Sequence, residues 1–77
     1  MRYRPIGEQL RAWRAARGLS QVALAERAAV GAVAVARLEL GQTDPRLTTL
    51  RKLAAALGVT VGELVDGSPT KRTRGKK

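Results

Sequence analysis

The 77-residue sequence predicts an all-α fold, a compact bundle of five short helices. Three observations carry that expectation. Apolar residues recur at helical spacing along most of the chain. Glycines, prolines and capping residues divide it into short segments. Thirteen alanines and ten leucines favour helix by intrinsic propensity. The only period-2 alternation is the short stretch 31–36, GAVAVA.

The first helix is expected over Ile6–Arg17. Ile6, Leu10, Trp13 and Arg17 share one face, and Pro5 stands where a first-turn proline is tolerated. Gly18 suits the residue after the helix end, and Arg14 and Arg17 suit its negative terminus. Ser20 reads as the N-cap of a second helix over Gln21–Ala28, its hydroxyl facing the N–H of Val22 or Ala23. Val22, Ala25 and Ala28 or Ala29 form its inner stripe, with Leu24 adding to it. A third helix follows a short turn, over Ala32–Leu40, and stops at Gly41. The run Gln42-Thr43-Asp44-Pro45 is a turn. A fourth helix over Leu47–Leu57 carries a stripe of Leu47, Leu50, Leu53, Ala54 and Leu57, closed by Gly58. Thr60 and Glu63 match a capping box that opens a short fifth helix through Val65. The segment 66–69 ends the fold, giving a domain over 1–69. Residues 70–77 hold no core residue and are expected to be a disordered basic tail.

Composition narrows the chemistry. The chain has no cysteine and no histidine. No disulfide, no metal site and no Ser-His or Cys-His nucleophile is expected, nor any cofactor. No catalytic dyad or phosphate loop is visible, so the chain does not read as an enzyme. Fifteen basic residues against six acidic ones give a net charge of +9. Five of the basic groups crowd into 71–77, yet the remainder is basic too, at +4. Such a surface attracts polyanions, nucleic acid first. No apolar run approaches the roughly 20 residues of a membrane span. The N-terminus lacks the apolar region of a signal peptide. The expected location is the cytoplasm, at the nucleoid of a bacterial host.

Two closely crossing helices need a small residue on the first, which Ala25 supplies. They need apolar residues in the turn and on the second, which Val30, Val35 and Leu38 supply. Residues 18–64 as a whole read GLSQVALAERAAVGAVAVARLELGQTDPRLTTLRKLAAALGVTVGEL. This string resembles the Cro and phage-repressor type helix-turn-helix family, a lambda-repressor-like DNA-binding fold. The matches are Gly18-Leu19-Ser20-Gln21, Leu24-Ala25, Val30, Leu38-Glu39, Gly41, Pro45, Leu47, Leu50, Leu53-Ala54, Leu57-Gly58-Val59 and Glu63-Leu64, in order and without gaps. With the first helix, the resemblance covers residues 5–65.

The resemblance implies a sequence-specific regulator of transcription, a repressor acting as a homodimer on double-stranded DNA. It places Gln21 against a phosphate at the start of the second helix. It places the third helix in the major groove, with Gly31, Ala32, Val33, Ala34 and Arg37 facing base edges. Thr43 and Arg46 match positions that touch the DNA backbone. Arg14 matches a basic position close to the phosphates, paired with a glutamate at Glu39. Val59, Val61, Leu64 and Val65 are the candidate dimer surface.

Three departures stand out. Residues 31–34 are Gly, Ala, Val and Ala where the family places polar readers. Arg46 stands where a serine-like N-cap is common, and Leu40 where a polar or basic residue is usual. The bare third helix leaves four readings open: contact with thymine methyl groups, a permissive helix with DNA held by its phosphates and shape, a surface turned to protein binding, or deliberate replacement of polar readers. The alternative function is an antitoxin-like or antirepressor-like module whose apolar third helix binds a protein partner. Trp13 falls on the apolar face of the first helix and is assigned to the core rather than to base stacking. Tyr3 stays undecided. The tail is expected to add non-specific phosphate affinity.

Overall fold

The computed structural model describes residues 5–67 and 69. The expectations for Tyr3 and for 70–77 lie outside them. The described residues form α1 (Ile6–Ala16), α2 (Gln21–Ala28), α3 (Ala32–Glu39), α4 (Leu47–Leu57) and α5 (Val61–Asp66). α1 packs on α3 and α5, α2 on α3 and α4, and α4 on α5. One core joins them: Leu10, Trp13, Leu24, Ala25, Ala28, Val35, Leu38, Leu53, Ala54, Leu57 and Leu64. Among the described residues no helix is long and apolar enough to cross a membrane.

Local sequence sets most of the boundaries. The Ser20 hydroxyl accepts from the Ala23 N–H at 2.9 Å and starts α2. Thr60 and Glu63 exchange both bonds of a capping box, at 2.9 and 3.0 Å, and start α5. The GAVAVA stretch joins α3 because Val35 and Leu38, three residues apart, are the pair it buries. α1 and α3 each end one residue earlier than expected, and α5 runs one residue further.

Four helix ends use one device, a left-handed residue followed by a bond reaching back five residues. The bonds run from Leu19 to Arg14, Val30 to Ala25, Gln42 to Arg37 and Val59 to Ala54. Glycine holds the left-handed position at 18, 41 and 58; Ala29 holds it, at φ 58°, between α2 and α3. Ala29 is therefore exposed turn backbone and not part of the inner stripe of α2. A Cβ in this conformation crowds the following carbonyl. The Ala29→Gly variant is expected to gain about 1 kcal/mol, read as a higher urea midpoint with unchanged slope.

Two other expected core positions are exposed. Val22 is 56% exposed, because it lies about 160° around the helix from Leu24. The buried face of α2 is Leu24, Ala25 and Ala28. Leu47 is exposed at the first residue of α4, beyond the reach of the core, and Leu50 is half-buried.

Two residues outside the expected core and site, Gly7 and Gln9, bind α1 to its neighbours. Gly7 lets α1 approach the end of α3: a Cβ there would collide with the Leu38 carbonyl oxygen and stand 2.8 Å from that of Glu39. Both obstacles are backbone, so they cannot rotate away. Gly7→Ala is expected to cost about 1–3 kcal/mol, which thermal unfolding will report. Gln9 is buried, and its amide nitrogen donates to the Leu64 carbonyl at 3.1 Å and to that of Gly67. Trp13 is buried as expected, with its indole N–H donating to the Glu63 carbonyl at 3.2 Å. Two side chains of α1 thus satisfy the carbonyls at the end of the short α5. The signal available for Gln9 was its position four residues before Trp13, on the same helix face.

Candidate nucleic-acid interface

α3 is held from behind. Val35 and Leu38 are buried, and the opposite side presents Val33, Ala34 and Arg37 to solvent. Ala32 is half-buried and packs partly against the core, so less of it is available than of its neighbours. Gly31 is the N-cap and brings no side-chain acceptor to the first turn. The N–H groups of Ala32, Val33 and Ala34 therefore have no intrahelical partner and no cap.

A network around Glu39 ties α1, α2 and α3 together. Arg14 of α1 grips the Glu39 carboxylate with two bonds, Nε to Oε2 at 2.6 Å and Nη2 to Oε1 at 3.0 Å. Its Nη1 donates to the Leu19 carbonyl at 2.9 Å. Gln21, at the start of α2, donates its amide nitrogen to Glu39 Oε1 at 3.0 Å. The Arg14 and Glu39 side chains are 18% and 5% exposed. Burial pushes the Glu39 carboxyl up, but hydrogen bonds from Arg14 and Gln21 and the charges of Arg14 and Arg11 outweigh it. The carboxyl is held below its usual range. The bond to Glu39 raises the Arg14 pKa further.

This network changes what Gln21 can offer. A phosphate only accepts, so it must be met by the amide nitrogen. One amide hydrogen goes to Glu39, and the second is left for an outside acceptor. The first-turn N–H groups of Gln21 and Val22 have no intrahelical acceptor either. The sequence pairs Arg14 with Glu39; the tertiary structure adds Gln21 to that pair.

Beside α3 lies a groove of about 280 Å³, lined by Ala34, Leu38, Thr49 and the turn Thr43–Arg46. It brings Thr43 and Arg46 next to the exposed side of α3, with Asp44 in the same wall. Arg46 is the N-cap of α4 by position, without a side-chain cap bond. Leu40 is 71% exposed at the end of α3.

The candidate dimer surface is smaller than expected. Leu64 is fully buried in the core and has no surface to offer a second copy. It occupies the inward position of α5, under Gln9 and Trp13 of α1. Val59 and Val61 are half-buried and packed against the core, and Val65 is half-buried.

The sequence profile described as Helix-turn-helix matches residues 10–64, more than half of the chain. The chain belongs to the helix-turn-helix family, of the phage-repressor type. Within the helix-turn-helix, α2 is the first helix, Ala29 and Val30 the turn, and α3 the second. Over 60 residues, 78% of this chain, it is 40% identical to the HTH-type transcriptional regulator DdrOP3 of Deinococcus deserti, covering 46% of that protein. It is 38% identical over 60 residues to the immunity repressor protein of Bacillus phage phi105, covering 78% of this chain and 42% of that one. The chain thus spans less than half the length of these curated relatives. Among solved structures it resembles the DNA-binding domain of the P22 c2 repressor. The TM-score is 0.80 at 31% identity, with 87% of this chain and 88% of that one covered.

Proposed function

We propose that this helix-turn-helix protein is a sequence-specific DNA-binding regulator of transcription, a repressor that acts as a dimer with α3 in the major groove. The observation that carries the reading is α3 itself. Its inner side is fixed by Val35 and Leu38, while Val33, Ala34 and Arg37 face out beside the groove holding Thr43 and Arg46. Gln21, its amide fixed by Glu39, contacts a phosphate, and Arg14 positions both. Thr43 and Arg46 meet the backbone, with Asp44 keeping that contact modest. The relatives support the same reading, being a transcriptional regulator and an immunity repressor.

One such domain reads few base pairs, so specific binding requires a second copy, with half-sites about 34 Å apart. Val59, Val61 and Val65 are the residues offered to that contact. The domain ends by residue 69, and the basic tail adds salt-sensitive affinity for phosphates. The protein acts on the nucleoid in the cytoplasm, by binding and without catalysis. The antitoxin-like or antirepressor-like alternative rests only on the exposure of Val33 and Leu40.

Selection of bound duplexes from a random pool at two salt concentrations tests the proposal. A palindromic consensus is expected. Arg37→Ala is expected to weaken binding to the selected site by about 1–3 kcal/mol and to relax one base position. Unchanged affinity and an unchanged consensus would remove Arg37 from the reading.

A further inference from the structure

Arg17 stands at the end of α1, but its side chain serves α4. Its Nε donates to the Leu57 carbonyl at 2.8 Å. Leu57 is the last residue of α4, and the final carbonyls of a helix have no partner within it. Val59 and Gly58 donate to the carbonyls of Ala54 and Ala55; Arg17 takes that of Leu57. α4 has no basic residue in its own last turn, so the cation at its negative end comes from α1. The same guanidinium lies over the Trp13 ring, 5.2 Å from its centre. Trp13 in turn donates its indole N–H to the Glu63 carbonyl of α5 at 3.2 Å. Two stacked side chains of α1 thus reach both helices of one corner, α4 at its last carbonyl and α5 at its third residue. Between those two points lie Val59 and Val61.

Within the dimeric reading above, we propose that Arg17 is a positioning residue for self-association, holding the corner between α4 and α5 in the form a second copy recognises. Arg17 is exposed and makes its contacts at the surface, so the fold itself does not depend on it. Self-association does, because a twofold contact uses the same patch twice. If the corner is in place for only a fraction of the time, each copy lowers the apparent affinity by that fraction, and the dimer by its square. A corner in place about a third of the time weakens dimerisation about ninefold, whereas one domain on one half-site is not affected.

Sedimentation equilibrium of the full chain, free of DNA, compares wild type with Arg17→Ala where circular dichroism shows both folded. The dimer dissociation constant is expected to rise about tenfold. Binding of a duplex with a single half-site, cut from the selected consensus, is expected to change less than about twofold at physiological salt. Trp13 is the only tryptophan of the chain, so its emission reports the stacked pair directly. In dilute, monomeric protein, Arg17→Ala is expected to shift that emission and to speed amide exchange at residues 59–63. Arg17→Lys keeps the cation but not the planar fork that stacks and donates at once; it is expected to lie between the two, and it replaces the alanine variant if that one folds poorly. A dimer constant unchanged in the variant overturns the proposal and leaves the dimeric reading standing. A weakened dimer with unchanged emission and exchange also overturns it, because Arg17 would then touch the second copy instead of holding the corner. A wild type that stays monomeric in solution and on a palindromic duplex overturns the dimeric reading and the proposal with it.

Discussion

Leu64→Ala is expected to destabilise the protein by about 3 kcal/mol, a large part of the total stability of a domain this small. Leu64 is fully buried, and it is the only residue of α5 in the core. α5 has six residues, too few to persist without tertiary contacts. The cavity left by the truncation lies under Gln9 and Trp13, whose bonds to the carbonyls of Leu64, Gly67 and Glu63 depend on α5 being seated. Loss of the Leu64 side chain therefore loosens those bonds as well. Urea unfolding at two protein concentrations, tenfold apart, distinguishes a core residue from an interface residue. The expected loss is the same at both. A variant as stable as wild type that had only lost self-association would return Leu64 to the dimer surface.

Glu39→Ala is expected to cost about 2–3 kcal/mol, less than the full penalty for breaking a buried pair because Arg14 retains some exposure. The variant leaves the Arg14 guanidinium with one acceptor, the Leu19 carbonyl, and Gln21 with none of its bond to the carboxylate. Replacing both partners by leucine is expected to cost less than Glu39→Ala alone, since no charge is then left uncompensated. The pH dependence follows from the lowered carboxyl pKa of Glu39. Its contribution is complete above the unfolded-state value of about 4.3 and is lost as the pH falls through the lower folded-state value. The difference in urea midpoint between wild type and Glu39→Ala is expected to be constant from pH 7 to about pH 5 and to shrink in more acid solution. A difference independent of pH would show that the carboxylate charge plays no part. DNA binding by Glu39→Ala is expected to weaken more than its residual folding explains, because Gln21 loses the partner that orients it.

Much of the local structure around the candidate site was readable from the string of residues because its signals are local. Gln21 opens a helix capped by Ser20, and Arg37 lies on the side of α3 opposite Val35 and Leu38. The residues missed act across the fold. Gln9 is an ordinary polar residue until α5 places two carbonyls against it. Gly7 is an unremarked glycine in a first turn until the end of α3 passes over it. Val22 fits an apolar pattern, but it lies on the side of α2 turned away from Leu24 and the core. Ala29 carries no sequence signal for a left-handed residue, since glycine holds that conformation at the other three helix ends.

By itself the sequence determined the fold class, three of the five helix starts through Pro5, Ser20 and Thr60, and an α3 poor in hydrogen-bonding side chains. Those are properties of spacing and of side-chain type, and they hold before any two helices meet. Only the tertiary structure decided that Leu64 belongs inside, that Gln21 shares the Glu39 carboxylate with Arg14, and that Thr43 and Arg46 flank a groove beside Ala34. Each of these depends on which helix faces which and how closely. Those relations come from the packing of the whole core, and no window of neighbouring residues contains them.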